Sequence, residues 1–206
     1  MKIEMGESLF YSWLRHVKNC KLVQLNWKTS PMWQISNENE LIPLIDKIDK
    51  VFPNIFKKNR FKQLLSQAEL DAFGVDLTDK NTKYYVVDVA CHLTNLGYGS
   101  KEENIAKVSE KMLRSAIVLY AYFKTKQGEI IFAAPKINKG CYDPLAQRVA
   151  DIEKFMRLQG FDYKFTLIAN KDFNDVVDSI ESLSDDVADT SELFLRSYQL
   201  HRACKN

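Results

Sequence analysis

Residues 67–92 read QAELDAFGVDLTDKNTKYYVVDVACH. The pattern predicts two β-strands, 69–77 and 83–91, joined by a polar turn at Asp79, Lys80 and Asn81. Both strands carry acids where a half-buried strand is normally apolar. Glu69 and Asp71 share one face of the first strand. Asp88 interrupts the run Tyr-Tyr-Val-Val-Asp-Val-Ala-Cys, which is too apolar for a solvated edge. Side chains alternate along a strand, so Asp88, Ala90 and His92 are expected on one face. If the strands pair, Asp71 and Asp88 converge at one end of the hairpin. Two carboxylates about 4 Å apart repel by ~4 kcal/mol at an effective dielectric near 20. A divalent cation is the usual agent that offsets such a cost.

The elements around the hairpin are legible from periodicity. An amphipathic helix is predicted over 6–18, with Phe10, Trp13, Leu14 and Val17 on its apolar stripe and Glu7 on the same stripe. A carboxylate there either favours the first turn of the helix dipole or reaches toward Asp71 and Asp88. A strand follows at 21–26, then a loop with Trp33. Trp27 and Trp33 are core or rim packing on general grounds, with base stacking the sharper alternative. Residues 37–66 read as two helices inserted between the first and second core strands. Pro53 ends the first of them, and the second carries Lys57, Lys58, Arg60 and Lys62. Those four are a candidate phosphate-contacting surface, or an ordinary solvated face. Ser100 and Glu103 form a capping-box pattern that starts a helix running to Phe123. Lys107 and Lys111 border its apolar stripe. A short strand, 129–134, closes the core order. Residues 143–206 add a helix, a strand at 163–169, a helix over 173–183 and a final helix after Thr190 or Ser191.

E-x-D at Glu69–Asp71, a short strand, a turn and a β-branched run ending in Asp88 resembles the core of the PD-(D/E)XK nuclease superfamily. Gly6-Glu7 with its helix, followed by Cys20-Lys-Leu-Val-Gln-Leu-Asn26, resembles the first helix and strand of the resolvase-like and restriction-endonuclease-like members. The likeness spans 5–135. It implies an α/β (α+β) fold with a restriction-endonuclease-like mixed sheet flanked by helices. The whole chain, 1–206, would be one such domain, with 37–66 as insertion and 143–206 as C-terminal extension.

The resemblance also implies chemistry. The superfamily cleaves phosphodiesters with Mg²⁺ or Mn²⁺, and here the metal would be held by Asp71, Asp88 and the backbone carbonyl of Val89. Glu7 matches the helix glutamate of the family. The third motif departs from the pattern, because Asp88-Val89-Ala90 has alanine where the family has lysine. Lys111 is the first candidate to supply that cation from the following helix, with Lys107 beside it. His92 is the other candidate, on the strength of strand alternation. The implied partner is DNA, contacted through Lys57, Lys58, Arg60 and Lys62, with a homodimer an allowed assembly. A catalytically weakened member that binds nucleic acid or a protein is the competing reading, and Ala90 favours it.

Composition is that of a globular protein: 206 residues, 46% hydrophobic and 27% charged. The net charge of +2 argues against a charge-driven nucleic-acid coat but leaves room for a basic groove. Cys20, Cys91, Cys141 and Cys204 are far apart and form no C-x-x-C pair, so neither a zinc site nor a disulfide framework is expected. No apolar run approaches about 18 residues and no secretory segment is evident, so no membrane association and a cytoplasmic location are expected.

Overall fold

The computed structural model describes residues 4–56, 61–66, 68–78, 82–92, 94–183, 189–190 and 192–204. In chain order these form α1 (Met5–Ser12), a π-helical turn (Trp13–Val17), β1 (Leu22–Lys28), α2 (Glu38–Val51) and α3 (Phe61–Ser66). They continue with β2 (Glu69–Asp76), β3 (Lys83–Val89), α4 (Lys101–Phe123), β4 (Gln127–Ala134), α5 (Lys139–Leu158), β5 (Asp162–Ala169), α6 (Lys171–Glu181) and α7 (Leu193–Ala203). The fold is mixed α/β, with one open five-stranded sheet flanked by helices. The turn at Asp79, Lys80 and Asn81 lies outside the described residues, as do Lys57, Lys58 and Arg60, 184–188 and Ser191.

The strands are ordered β1-β2-β3-β4-β5. β1 with β2 and β2 with β3 pair antiparallel, and β3, β4 and β5 run parallel. The expected hairpin is therefore the middle of the sheet. A parallel connection needs a crossover long enough to return over the sheet. α4 links β3 to β4 and α5 links β4 to β5, and both pack on the same face. The predicted C-terminal extension is integral to the sheet, because β5 pairs with β4 from Asp162 to Ala169.

Central strands are buried on both faces, so their side chains split into two cores. Phe73, Val75, Val86, Ile130 and Phe132 meet Met112, Leu113, Ala116 and Leu119 of α4 and Leu145 and Val149 of α5. Ala72, Val87, Ile131 and Ala133 meet Leu9, Phe10 and Leu14 at the N-terminus and Phe173, Val176 and Leu195 at the other end of the chain. The expected layering of helices on both faces is the arrangement found.

Several boundaries differ from those expected, among them three in the first helix and the central hairpin. The first helix gives way at Trp13 to a π-turn, in which Lys18 N–H donates to Trp13 O at 2.9 Å. β2 stops at Asp76, before exposed Leu77. β3 stops at Val89, so Cys91 lies beyond the strand and is exposed, whereas Cys20 is buried as expected. The capping box at Ser100 and Glu103 is present, with Glu103 N–H donating to Ser100 Oγ and Ser100 N–H donating to Glu103 Oε2.

Candidate active site

The register of the β2–β3 hairpin brings the acids together. Ala72 is opposite Val87, so the next antiparallel step sets Asp71 opposite Asp88. Asp71 takes over the ladder with its side chain: Val89 N–H donates to Asp71 Oδ2 at 2.7 Å. Asp71 and Asp88 both face α4. Lys111 Nζ on that helix lies 3.3 Å from Asp88 Oδ1 and 4.0 Å from Asp71 Oδ2. One ammonium thus spans two carboxylates from different strands. Ser115, one helical turn after Lys111, donates to Asp88 Oδ2 at 2.7 Å. Asp88 is 2% exposed, so both of its oxygens are satisfied by α4.

Burial and like charge set the electrostatics. Desolvation, and then the neighbouring Asp88 carboxylate, push the Asp71 carboxyl up to about 6, although Lys111 and the Val89 N–H pull the other way. Glu7 adds a smaller push in the same upward direction. Burial alone would lower the Lys111 ammonium, but Asp88 and Asp71 outweigh it and hold the amine charged above its ordinary range. The Tyr98 phenol is raised chiefly by burial, with smaller influences from Lys111, Asp88 and Asp71. Burial, a like charge and a charged lysine converging on one carboxyl is a perturbation that functional sites and structural ion-pair networks share.

Glu7 arrives from the opposite face of the sheet, at its edge. Gly6 makes this possible: a Cβ there would lie 2.8 Å from Val89 Cγ1, so only glycine lets α1 approach the end of β3 so closely. Asn26 Nδ2 donates to Glu7 Oε2 at 3.0 Å. Asn26 itself has φ +51° inside β1, a left-handed backbone that asparagine tolerates better than most residues. The strained residue thus stands opposite the site and orients one of its acids.

The other predicted residues separate. Lys107 Nζ pairs with Glu110 Oε2 at 2.9 Å and is not the cation between the aspartates. Ala90 is 4% exposed within the core beneath α4, with its N–H on Ala133 O at 2.8 Å. His92 lies past the end of β3, so strand alternation does not assign it to the Asp88 face. The strand ends at Val89, and His92 N–H folds back to Ala90 O at 2.9 Å, so alternation no longer applies. Its exposed ring stands edge-on to Tyr98, with centroids 6.4 Å apart. Glu69 pairs with Lys28 at 3.1 Å near the surface. Lys62 is exposed on α3, while its predicted companions Lys57, Lys58 and Arg60 lie outside the described residues.

Sequence reasoning missed Ser115, Asn26 and Tyr98. Ser115 left a readable signal, since a serine four residues after Lys111, at the border of the apolar stripe, is buried only with a hydrogen-bond partner. Asn26 and Tyr98 left none. Among the described residues no group of three or more His, Cys, Asp or Glu is arranged to hold a metal ion. The oxygen donors available are the Asp71 and Asp88 carboxylates and the Val89 carbonyl, a small hard set that suits an ion keeping several waters. No helix is long and apolar enough to cross a membrane among the described residues. No family model, curated protein or solved structure matches the chain.

Proposed function

We propose that the protein is a metal-dependent DNA endonuclease of the PD-(D/E)XK type, in which Lys111 stands in for the lysine missing at Ala90. The observation that carries this reading is the single ammonium of Lys111 placed between Asp71 and Asp88. The resemblance calls for two acids and a cation at one strand end, and three residues far apart in sequence meet those requirements.

Asp71, Asp88 and the Val89 carbonyl would hold Mg²⁺ or Mn²⁺, which supplies Lewis-acid stabilisation of the scissile phosphate and a more acidic water. Lys111 would orient the attacking water and offset the charge that develops on the phosphate in the transition state. Ser115 fixes Asp88 in position from below. Glu7, held by Asn26, would accept a hydrogen bond from water at the outer edge of the site. Asp71 must be ionised to serve as a ligand, so loading should fall as the pH drops below about 6.

The test is Mg²⁺-dependent cleavage of plasmid and oligonucleotide DNA. Asp71→Ala and Asp88→Ala should abolish it. Lys111→Ala should lower the rate with little change in DNA affinity, because the cation acts on the transition state. Cleavage that survives Asp88→Ala rejects the mechanism.

A second reading is a nuclease-fold module that binds nucleic acid or protein without cutting. The observation in its favour is that Lys111 and Ser115 between them already engage both oxygens of the buried Asp88. Salt-sensitive DNA binding by a wild type that cuts no DNA would establish it.

A further inference from the structure

Trp27 and Trp33 differ sharply in burial. Trp27 is 7% exposed and packs into the aromatic core with Phe73 and Phe123. Trp33 is 49% exposed and its neighbour Met32 is 85% exposed. A large ring left half in water normally belongs to a mobile tip, but this loop is pinned. Thr29 Oγ1 donates to Leu65 O at 2.9 Å, Trp33 N–H donates to Ser30 O at 3.0 Å, and Met32 N–H donates to Ser30 Oγ at 3.2 Å. The indole is further braced by Trp27 and Tyr122, with ring centroids 5.8 and 5.7 Å away. Its orientation is therefore set before any ligand arrives, which removes an entropic penalty from binding.

The ring forms one wall of a cleft of about 600 Å³ between this loop and α3. Tyr122 and Phe61 add aromatic surface, Gln34 and Gln63 add amides that both donate and accept, and Lys62 adds a positive charge. Glu38 also lines the cleft, as an acceptor. Aromatic faces, amides for a base edge and a lysine for a phosphate match one class of ligand, a nucleotide whose base is out of the stack. The loop and α3 are the segments that leave β1 and enter β2, the strand bearing Asp71. Tyr122 is eleven residues beyond Lys111 on α4, about 17 Å along the helix, or roughly half a turn of B-DNA.

We infer that this cleft receives an unstacked nucleotide of the bound strand, with the base stacked on Trp33 and the phosphate near Lys62. The protein would then prefer DNA with an unpaired stretch about half a helical turn from the scissile bond over uniform duplex. The identity of the polymer rests on the nuclease reading, but the test does not need cleavage.

The experiment measures binding of fluorescein-labelled short oligothymidine, in EDTA, by fluorescence anisotropy. The wild type should bind, and Trp33→Ala should weaken binding roughly five- to a hundred-fold, the range for losing one stacked base. Trp33→Phe should keep most of the affinity. Lys62→Gln should reduce the slope of log affinity against log salt by about one. A wild-type readout guards against a misfolded alanine variant: an oligonucleotide carrying 2-aminopurine should lose fluorescence on binding as its base stacks on the indole. Oligothymidine binding unchanged in Trp33→Ala, unquenched 2-aminopurine in a bound complex, or no binding by the wild type would each overturn the inference. Failure of the nuclease reading looks different: DNA remains uncut in Mg²⁺ while Trp33-dependent binding persists.

Discussion

Asp71→Asn should make the protein more stable at pH 8 and, on the proposed nuclease reading, unable to cleave DNA. The Asp71 carboxyl is pushed up to about 6 from an ordinary value of 3.8, first by burial and then by Asp88. A carboxyl whose folded value is raised holds its proton more tightly in the fold than in the unfolded chain. Its contribution to stability is therefore fully present below pH ~4 and is lost as the pH rises through ~6. A shift of about two units corresponds to roughly 3 kcal/mol, an upper bound, because Lys111 shares the charge of both aspartates. Asparagine resembles the protonated acid, and its carbonyl oxygen can still accept the Val89 N–H that Asp71 Oδ2 accepts at 2.7 Å. The variant should match the wild type near pH 4 and exceed it by about 1–3 kcal/mol at pH 8. For a chain of this length that is roughly 3–10 °C in Tm. Urea denaturation at several pH values, without divalent metal, measures both the offset and its pH profile. A variant less stable than the wild type at pH 8, or an offset that does not vary between pH 4 and 7, would refute the assignment of a destabilised carboxylate at this position.

Four further outcomes follow from the same cluster. Lys111→Ala removes the cation from an Asp88 that is 2% exposed, and should cost about 2–4 kcal/mol by thermal or chemical denaturation, with Lys111→Arg recovering part of it. Ser115→Ala should cost about 1.5–3 kcal/mol, the loss of a hydrogen bond to a buried charge, and should lower cleavage less than Asp88→Ala in the plasmid assay. Mn²⁺ at ten times its Kd should stabilise the wild type by about 1.4 kcal/mol in a thermal shift, with the effect absent in Asp71→Asn and Asp88→Asn and weakening below pH ~6. Gly6→Ala should separate α1 from β3, since the new methyl would press 2.8 Å against Val89 Cγ1, and should reduce Tm, while Gly140→Ala in α5, whose Cβ meets nothing within 4 Å, should hold or slightly raise it.

Most of the sheet was legible because its strands carry strong periodic signals. The run from Lys83 to Val89 has no reading as a helix, and the capping box at Ser100 marks where α4 starts. The strand ends were harder to read. Leu77 and Cys91 look like continuing strand in composition, but the ladder stops earlier, where Asp76 turns its carboxylate to Thr78 N–H at 2.9 Å and His92 N–H folds back to Ala90 O. For His92 the consequence is that alternation, extended past the strand end, fixes no face. The meeting of Asp71 with Asp88 was readable from hairpin register. Asn26 was not, because a left-handed residue inside a strand depends on the tertiary approach of Glu7 and has no local cause in the sequence.

The position of Lys111 has a physical logic that the linear motif conceals. In the family pattern a lysine two residues after the acid shares its face of the strand. Here that place is Ala90, whose Cβ lies in the core beneath α4 with 4% exposure. A lysine there would have to thread a charged amine between packed apolar side chains. α4 offers a shorter route. Its apolar stripe anchors it on the sheet through Val108, Met112 and Ala116, all fully buried. Lys111 and Ser115 flank that stripe on one side, spaced one turn apart, so a single helix docking delivers a cation to Asp88 Oδ1 and a hydroxyl to Asp88 Oδ2. The same docking that buries the acid therefore also supplies what stabilises its charge. Removing α4 from the sheet would expose Asp88 and release Lys111 together, so the charge state of the site and the packing of this helix are one equilibrium.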